Sequence, residues 1–207
     1  MGERGDQLHG NRLSALGATL AWQLATPTQD RHALARSLLR ELLGEESRFS
    51  SVCPECGGAH GPVQARLPRG PAPLVSMTYA GTLVVVGAAP ALTVAFGIDA
   101  EIDSGDRRRA ISEAIGSAEL CDWTRLEAVA KARRTGLRDE VRALDCTGDA
   151  HGWIAPPMPG LPELRGVDLT LTLPGKHGTA LISVALAAAT PSPDAPATFP
   201  PSSASAG

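Results

Sequence analysis

The apolar periodicity of the chain changes twice from helical to strand-like, and that alternation confines it to a mixed α and β architecture. From Asp30 to Gly44, Leu34, Leu38 and Leu42 recur every fourth residue with Leu39 and Leu43 beside them, and Gly44 supplies a stop. This spacing predicts an amphipathic helix. Arg36 and Arg40 fall on another face, as solvated surface or as anion contacts. Residues 51–73 hold Cys53, Cys56, Gly57, Gly58, His60, Gly61 and five prolines, and read as a connection without regular elements. Leu83–Val86 and Leu92–Phe96 read as a strand hairpin that continues into Gly97-Ile98-Asp99-Ala100-Glu101. Helical spacing returns over 107–115 and 120–134, with Gly136 as the expected C′ residue. Strand-like runs follow at 152–154, 167–173 and 180–187. From about Thr190 the chain is mostly Pro, Ser and Ala, the composition of a disordered tail.

A length of 207 residues is room for one compact domain or two small ones. With only seven aromatic residues, Ala, Leu and Val must fill the core. A net charge of −3 gives no overall reason to bind a polyanion, and Arg107-Arg108-Arg109 is the longest single-sign run. Nucleic acid is therefore not an expected partner. No stretch reaches the roughly 18 to 20 apolar residues of a membrane span, and the polar start, Met1–Gly10, does not look like a signal peptide. These features lead to the expectation of a cytoplasmic protein whose four cysteines stay reduced.

Asp99 and Glu101 stand two apart near the end of a predicted strand, so their side chains leave one face about 7 Å apart. Trp123, Glu127 and Lys131, spaced by four, fall along one helical stripe. Three carboxylates are the hard oxygen ligands that Mg²⁺ prefers, which points to phosphate-ester chemistry. Two solvated acids and an ordinary i,i+4 Glu-Lys pair would give the same spacing. Trp123 is expected to anchor its helix in the core. Cys53-x-x-Cys56-x-x-x-His60 has a zinc-compatible spacing but lacks an obvious fourth ligand, unless His9, Cys121 or Cys146 folds near; a Gly-rich loop with incidental thiols fits the same residues.

The order Gly97-Ile98-Asp99-Ala100-Glu101, then Trp123-Thr124-Arg125-Leu126-Glu127-Ala128-Val129-Ala130-Lys131, resembles the 4′-phosphopantetheinyl transferases. It is similar to the longer, monomeric type acting on carrier proteins of polyketide and nonribosomal peptide synthesis. The likeness extends to the Arg36-Ser37-Leu38-Leu39-Arg40 helix, the Cys56-Gly57-Gly58-Ala59-His60-Gly61 loop and the Thr78-Tyr79-Ala80-Gly81 turn, and so to most of residues 30–187. The resemblance implies an α+β fold of two similar halves with small antiparallel sheets, related by a pseudo-twofold, with the active site in the cleft between them. The corresponding segments are 1–29, a first half at 30–95, a second half at 96–189 carrying the metal and catalytic motifs, and the tail at 190–207.

By position, the resemblance implies that Asp99, Glu101 and Glu127 hold Mg²⁺ against the pyrophosphate of coenzyme A. Glu127 would take the proton from the attacking serine, and Lys131 would offset charge on the leaving 3′,5′-ADP. Arg36, Ser37, Thr78 and Tyr79 would meet coenzyme A. The implied partner is an acyl or peptidyl carrier protein, converted from apo to holo form. Tyr79 stands where the family has His, Leu126 where it has Lys in the helix motif, and Pro62 where it has Lys in the loop. Three basic contacts to an anionic substrate are thereby lost, with Arg66 and Arg69 as candidate replacements. The alternative expectation is a noncatalytic or altered relative that binds a carrier protein or nucleotide without transfer.

Overall fold

The computed structural model describes residues 11–53, 56–59, 61–117, 119–137 and 139–189. His9, His60 and the tail from Thr190 lie outside the described residues. The protein is α+β, as the alternating periodicity predicts. Its strands are β1 (Asn11–Ala15), β2 (Ala18–Leu24), β3 (Arg48–Ser50), β4 (Gln64–Arg66), β5 (Val75–Ala80), β6 (Leu83–Ala88), β7 (Thr93–Ile102), β8 (Thr147–Asp149), β9 (Gly152–Ala155), β10 (Leu164–Thr172) and β11 (Thr179–Ala188). The helices are α1 (Arg31–Leu43), α2 (Gly105–Ile115), α3 (Leu120–Arg133) and α4 (Asp139–Arg142).

Two antiparallel sheets carry the fold, one in the order β1-β2-β6-β5 and the other β7-β11-β10-β9-β8. Period-two alternation explains how they stack. Leu20, Trp22, Leu83 and Val85 of the first sheet meet Phe96, Ile98, Ala100, Ile182 and Val184 of the second in a central core. The intervening residues Ala21, Val84 and Val86 face outward and pack under Leu34, Ala35, Leu38 and Leu39 of α1. On the far side, Ala185 and Ala187 pack under Ala128, Val129 and Ala132 of α3. Small side chains there let helix and sheet lie close, which is how a chain with few aromatics fills its interior.

Four sequence expectations change. β6 and β7 do not form a hairpin: β6 is flanked on both edges by β2 and β5, so the chain must leave the sheet at Ala89 and begin another. The Pro- and Gly-rich 51–73 segment does contain a regular element, β4, paired with β3. Residues 11–24 of the expected N-terminal segment form a hairpin inside the first sheet. The two residues that close it, Leu16 and Gly17, have φ of 52° and 77°, the left-handed pair that a two-residue hairpin turn demands. The αL residue ending α3 is Arg134, φ 57°, two positions before the expected Gly136, which also has positive φ. No helix among the described residues is long and apolar enough to cross a membrane.

Candidate active site

The alternation of β7 builds the site. Because Phe96, Ile98 and Ala100 enter the central core, Gly97, Asp99 and Glu101 must emerge on the opposite face, under α3. Gly97 is what lets the helix sit there: a Cβ at this position would stand 2.1 Å from the Ala128 carbonyl oxygen and 2.5 Å from the Ala132 nitrogen. α3 then lays Trp123, Glu127 and Lys131 beside the two strand acids.

The opposite wall is β5, the edge strand of the first sheet. Side-chain bonds join it to β7: the Ile98 N–H donates to Ser76 Oγ at 3.1 Å, and Thr78 Oγ1 donates to Asp99 Oδ1 at 2.8 Å. The result is a cleft of about 580 Å³ lined by Ser76, Met77, Thr78, Tyr79, Asp99, Glu101, Trp123, Glu127 and Lys131 among others, with Gly61, Pro62 and Val63 at its margin. Sequence residues read from three separate segments thus converge on one cavity.

Its ionisable lining is balanced, with Asp99, Glu101 and Glu127 against Arg107, Lys131 and Arg134. Lys131 Nζ donates to Asp99 Oδ1 at 2.6 Å, while Asp99 Oδ2 is buried without a hydrogen-bond partner. Arg107, in the first turn of α2, pairs with Glu101 and lies with its guanidinium 5.4 Å from the centre of the Trp123 ring. Its Nε is also buried and unpartnered. A buried donor or acceptor left unmade costs about 1–3 kcal/mol, so the two orphan atoms mark where the cleft has capacity for a ligand.

Burial raises the pKa of Glu127 above the ordinary carboxylate value, with the charge of Asp99 adding to it and Lys131 opposing. Burial also raises Glu101, against the hydrogen bond and charge of Arg107. Among the described residues, no three His, Cys, Asp or Glu side chains converge to hold a metal ion, so there is no preformed three-carboxylate cage. Mg²⁺ needs only one or two protein carboxylates when phosphates and water complete its shell. The unpartnered Asp99 Oδ2 and the Glu127 carboxylate are the cleft groups that could hold such an ion.

Tyr79 is half-buried. Its hydroxyl donates to Met77 Sδ at 3.3 Å and lies 3.1 Å from His32 Nδ1. Burial raises its pKa, opposed by the charges of Arg36 and Arg31, and the Arg31 guanidinium sits 5.6 Å from its ring centre. Arg36 and Ser37 are exposed on α1 and do not line the cleft. Arg66 and Arg69 are exposed and absent from its lining as well. Leu126 is buried at 6% exposure, so this position faces the interior rather than the cavity. Trp123 belongs to no core cluster; it is half-buried in the cleft wall under Arg107.

Behind α3, the Asp168 side chain is 2% exposed and accepts from Arg125 Nε and Nη2, Trp153 Nε1 and Ser183 Oγ at 2.7–2.9 Å. Ser183 pairs in register with Asp99 and its hydroxyl also bonds Thr124 of α3 at 2.7 Å. This network fixes the helix one turn before Glu127. Sequence reading missed it, and missed Arg107, whose only signal was membership in an arginine run. Cys53 and Cys56 are in no disulfide, and their expected third zinc ligand, His60, lies outside the described residues. Compared with known proteins, the chain matches no family model and no curated sequence.

Proposed function

We propose that the protein transfers the 4′-phosphopantetheine arm of coenzyme A to a serine of an acyl or peptidyl carrier protein, in a Mg²⁺-dependent reaction. The observation that carries this reading is the meeting of Asp99, Glu101, Glu127 and Lys131, from two motifs distant in sequence, in one cleft with Thr78 and Tyr79. The serine hydroxyl oxygen would form a bond to the phosphorus bearing the pantetheine arm, and the bond from that phosphorus to the ADP side would break. The serine proton would pass to Glu127, which α3 places in the cleft beside the strand acids. The electron pair leaves on 3′,5′-ADP.

Lys131, held on Asp99, places a positive charge in the cleft where negative charge develops on the leaving phosphate. Asp99 and Glu127, with Glu101 beside them, would hold Mg²⁺, which when bound supplies charge neutralisation for the pyrophosphate. A cytoplasmic monomer with two halves related by a pseudo-twofold is part of the same proposal. Release of 3′,5′-ADP that depends on both coenzyme A and an apo carrier protein tests it; no release from any carrier type would refute it.

One observation favours the noncatalytic reading. Lys131 and Arg107 already neutralise Asp99 and Glu101 inside the protein, so a relative that only binds nucleotide or carrier protein could use the same cleft. Coenzyme A binding without 3′,5′-ADP release would establish that alternative.

A further inference from the structure

We infer that Arg107 is a phosphate-receiving residue of this cleft, held in reserve by Glu101. The inference rests on the proposed coenzyme A chemistry and names how the site takes up its pyrophosphate. Of the three cations lining the cleft, Arg134 is exposed at the end of α3, away from the strand acids' ion pairs, and Lys131 is fixed on the buried Asp99 at 2.6 Å. Arg107 is committed less fully. One Nη engages Glu101, its Nε is buried with no partner, and its side chain is 37% exposed to the cleft. A guanidinium carries five donors in a fork suited to phosphate oxygens, so most of its capacity is uncommitted.

The position is also prepared. Ser104 Oγ caps α2 by accepting from the Arg107 N–H at 3.2 Å, which ties the residue's backbone at the helix start. Its guanidinium rests against the Trp123 ring, a platform that restrains the fork without using its donors. Because Glu101 and Arg107 share one pair, anything that neutralises Glu101 frees the guanidinium for an incoming anion. A cation on the carboxylate has that effect. Phosphate binding and occupation of Glu101 are therefore coupled.

The coupling gives two substitutions opposite signs. The full-length protein, stripped of divalent metal with EDTA, is titrated with coenzyme A and with inorganic pyrophosphate by calorimetry. Arg107→Gln is expected to weaken binding about 10- to 100-fold, the loss of a charge-assisted contact, with partial recovery in Arg107→Lys. Glu101→Gln is expected to tighten it, because the guanidinium is released. Trp123 is the one tryptophan of the three that is not buried. Its emission should shift on ligand binding in the wild type and not in Arg107→Gln, with Trp123→Phe abolishing the signal.

If Arg107 merely braces Glu101, both substitutions change affinity in the same direction, and the inference fails. It fails equally if Arg107→Gln binds both ligands as the wild type does. Should coenzyme A not bind even with Mg²⁺ restored, while pyrophosphate binds the stripped protein with the expected pattern, the transferase reading falls and the phosphate role of Arg107 stands. Absence of binding by both ligands, with and without Mg²⁺, overturns both.

Discussion

Replacing Gly97 with alanine tests whether the closeness of β7 and α3 is what builds the site. The new Cβ would meet the Ala128 carbonyl oxygen at 2.1 Å, the Ala132 nitrogen at 2.5 Å and the Ala132 Cα at 3.1 Å. All three neighbours are main chain, so no rotamer change relieves the overlap. Restoring ordinary contact requires helix and strand to separate by about 1 Å, and overpacking of this kind costs about 1–3 kcal/mol. The backbone partners place Gly97→Ala at the upper end, about 3 kcal/mol, or a fall in Tm of roughly 6–12 °C for a domain of this size. The same displacement carries Glu127 and Lys131 away from Asp99, so transfer should drop by about 100-fold. Urea unfolding followed by circular dichroism measures the first effect and 3′,5′-ADP release the second. Gly105→Ala is the matched control, since nothing lies within 4 Å of its would-be Cβ and it sits in the first turn of α2. It should be neutral or slightly stabilising. Gly97→Ala unfolding within 0.5 kcal/mol of the wild type would refute the reasoning.

Lys131→Ala leaves Asp99, 5% exposed, charged against Thr78 alone. The cost should be about 2 kcal/mol, below the 3–5 typical of a broken buried pair because the lysine end is partly solvated. Adding Asp99→Asn should recover most of it in a double-mutant cycle, and strict additivity would show that the pair does not couple. Glu127 has a raised carboxyl pKa, so the folded state binds its proton more tightly than the unfolded chain, and stability falls as pH rises from the unfolded value of 4.5 through the folded one. Glu127→Gln should therefore melt higher than the wild type at pH 7, with the difference vanishing below pH 4.5 in calorimetric scans across pH. Asp168→Asn should cost about 3–5 kcal/mol in urea unfolding, since it leaves the buried Arg125 uncompensated. A loss below 1 kcal/mol would show that the network does not hold α3.

The α+β class, α1, the boundaries of α2 and α3 to within two residues, and β6, β7, β10 and β11 were legible because each repeats apolar residues at its own period over enough residues to be distinctive. The β1–β2 hairpin was not, since its turn uses Leu16 at φ 52° where Asn or Gly would have signalled it. The β6–β7 hairpin was misread because a short loop between strands does not reveal that both edges of β6 are already taken. At the site, spacing placed Asp99 with Glu101 on one strand face and Glu127 with Lys131 on one helix stripe; that the two groups belong together came from the family resemblance and not from spacing. Arg107 was not legible, because what gives it meaning is the placing of the α2 start between Trp123 of α3 and Glu101 of β7, which no local pattern encodes. Leu126 shows the reverse case: it looked like a lost cleft contact and is an interior residue.

The central claim is that the cleft performs transfer rather than binding alone. Intact-mass analysis of an apo carrier protein incubated with this protein, coenzyme A and Mg²⁺ tests it most directly, alongside Glu127→Ala. The account predicts a phosphopantetheine-sized mass gain on the carrier with the wild type and none with the variant. No gain across several carrier types, or an equal gain with Glu127→Ala, would contradict it.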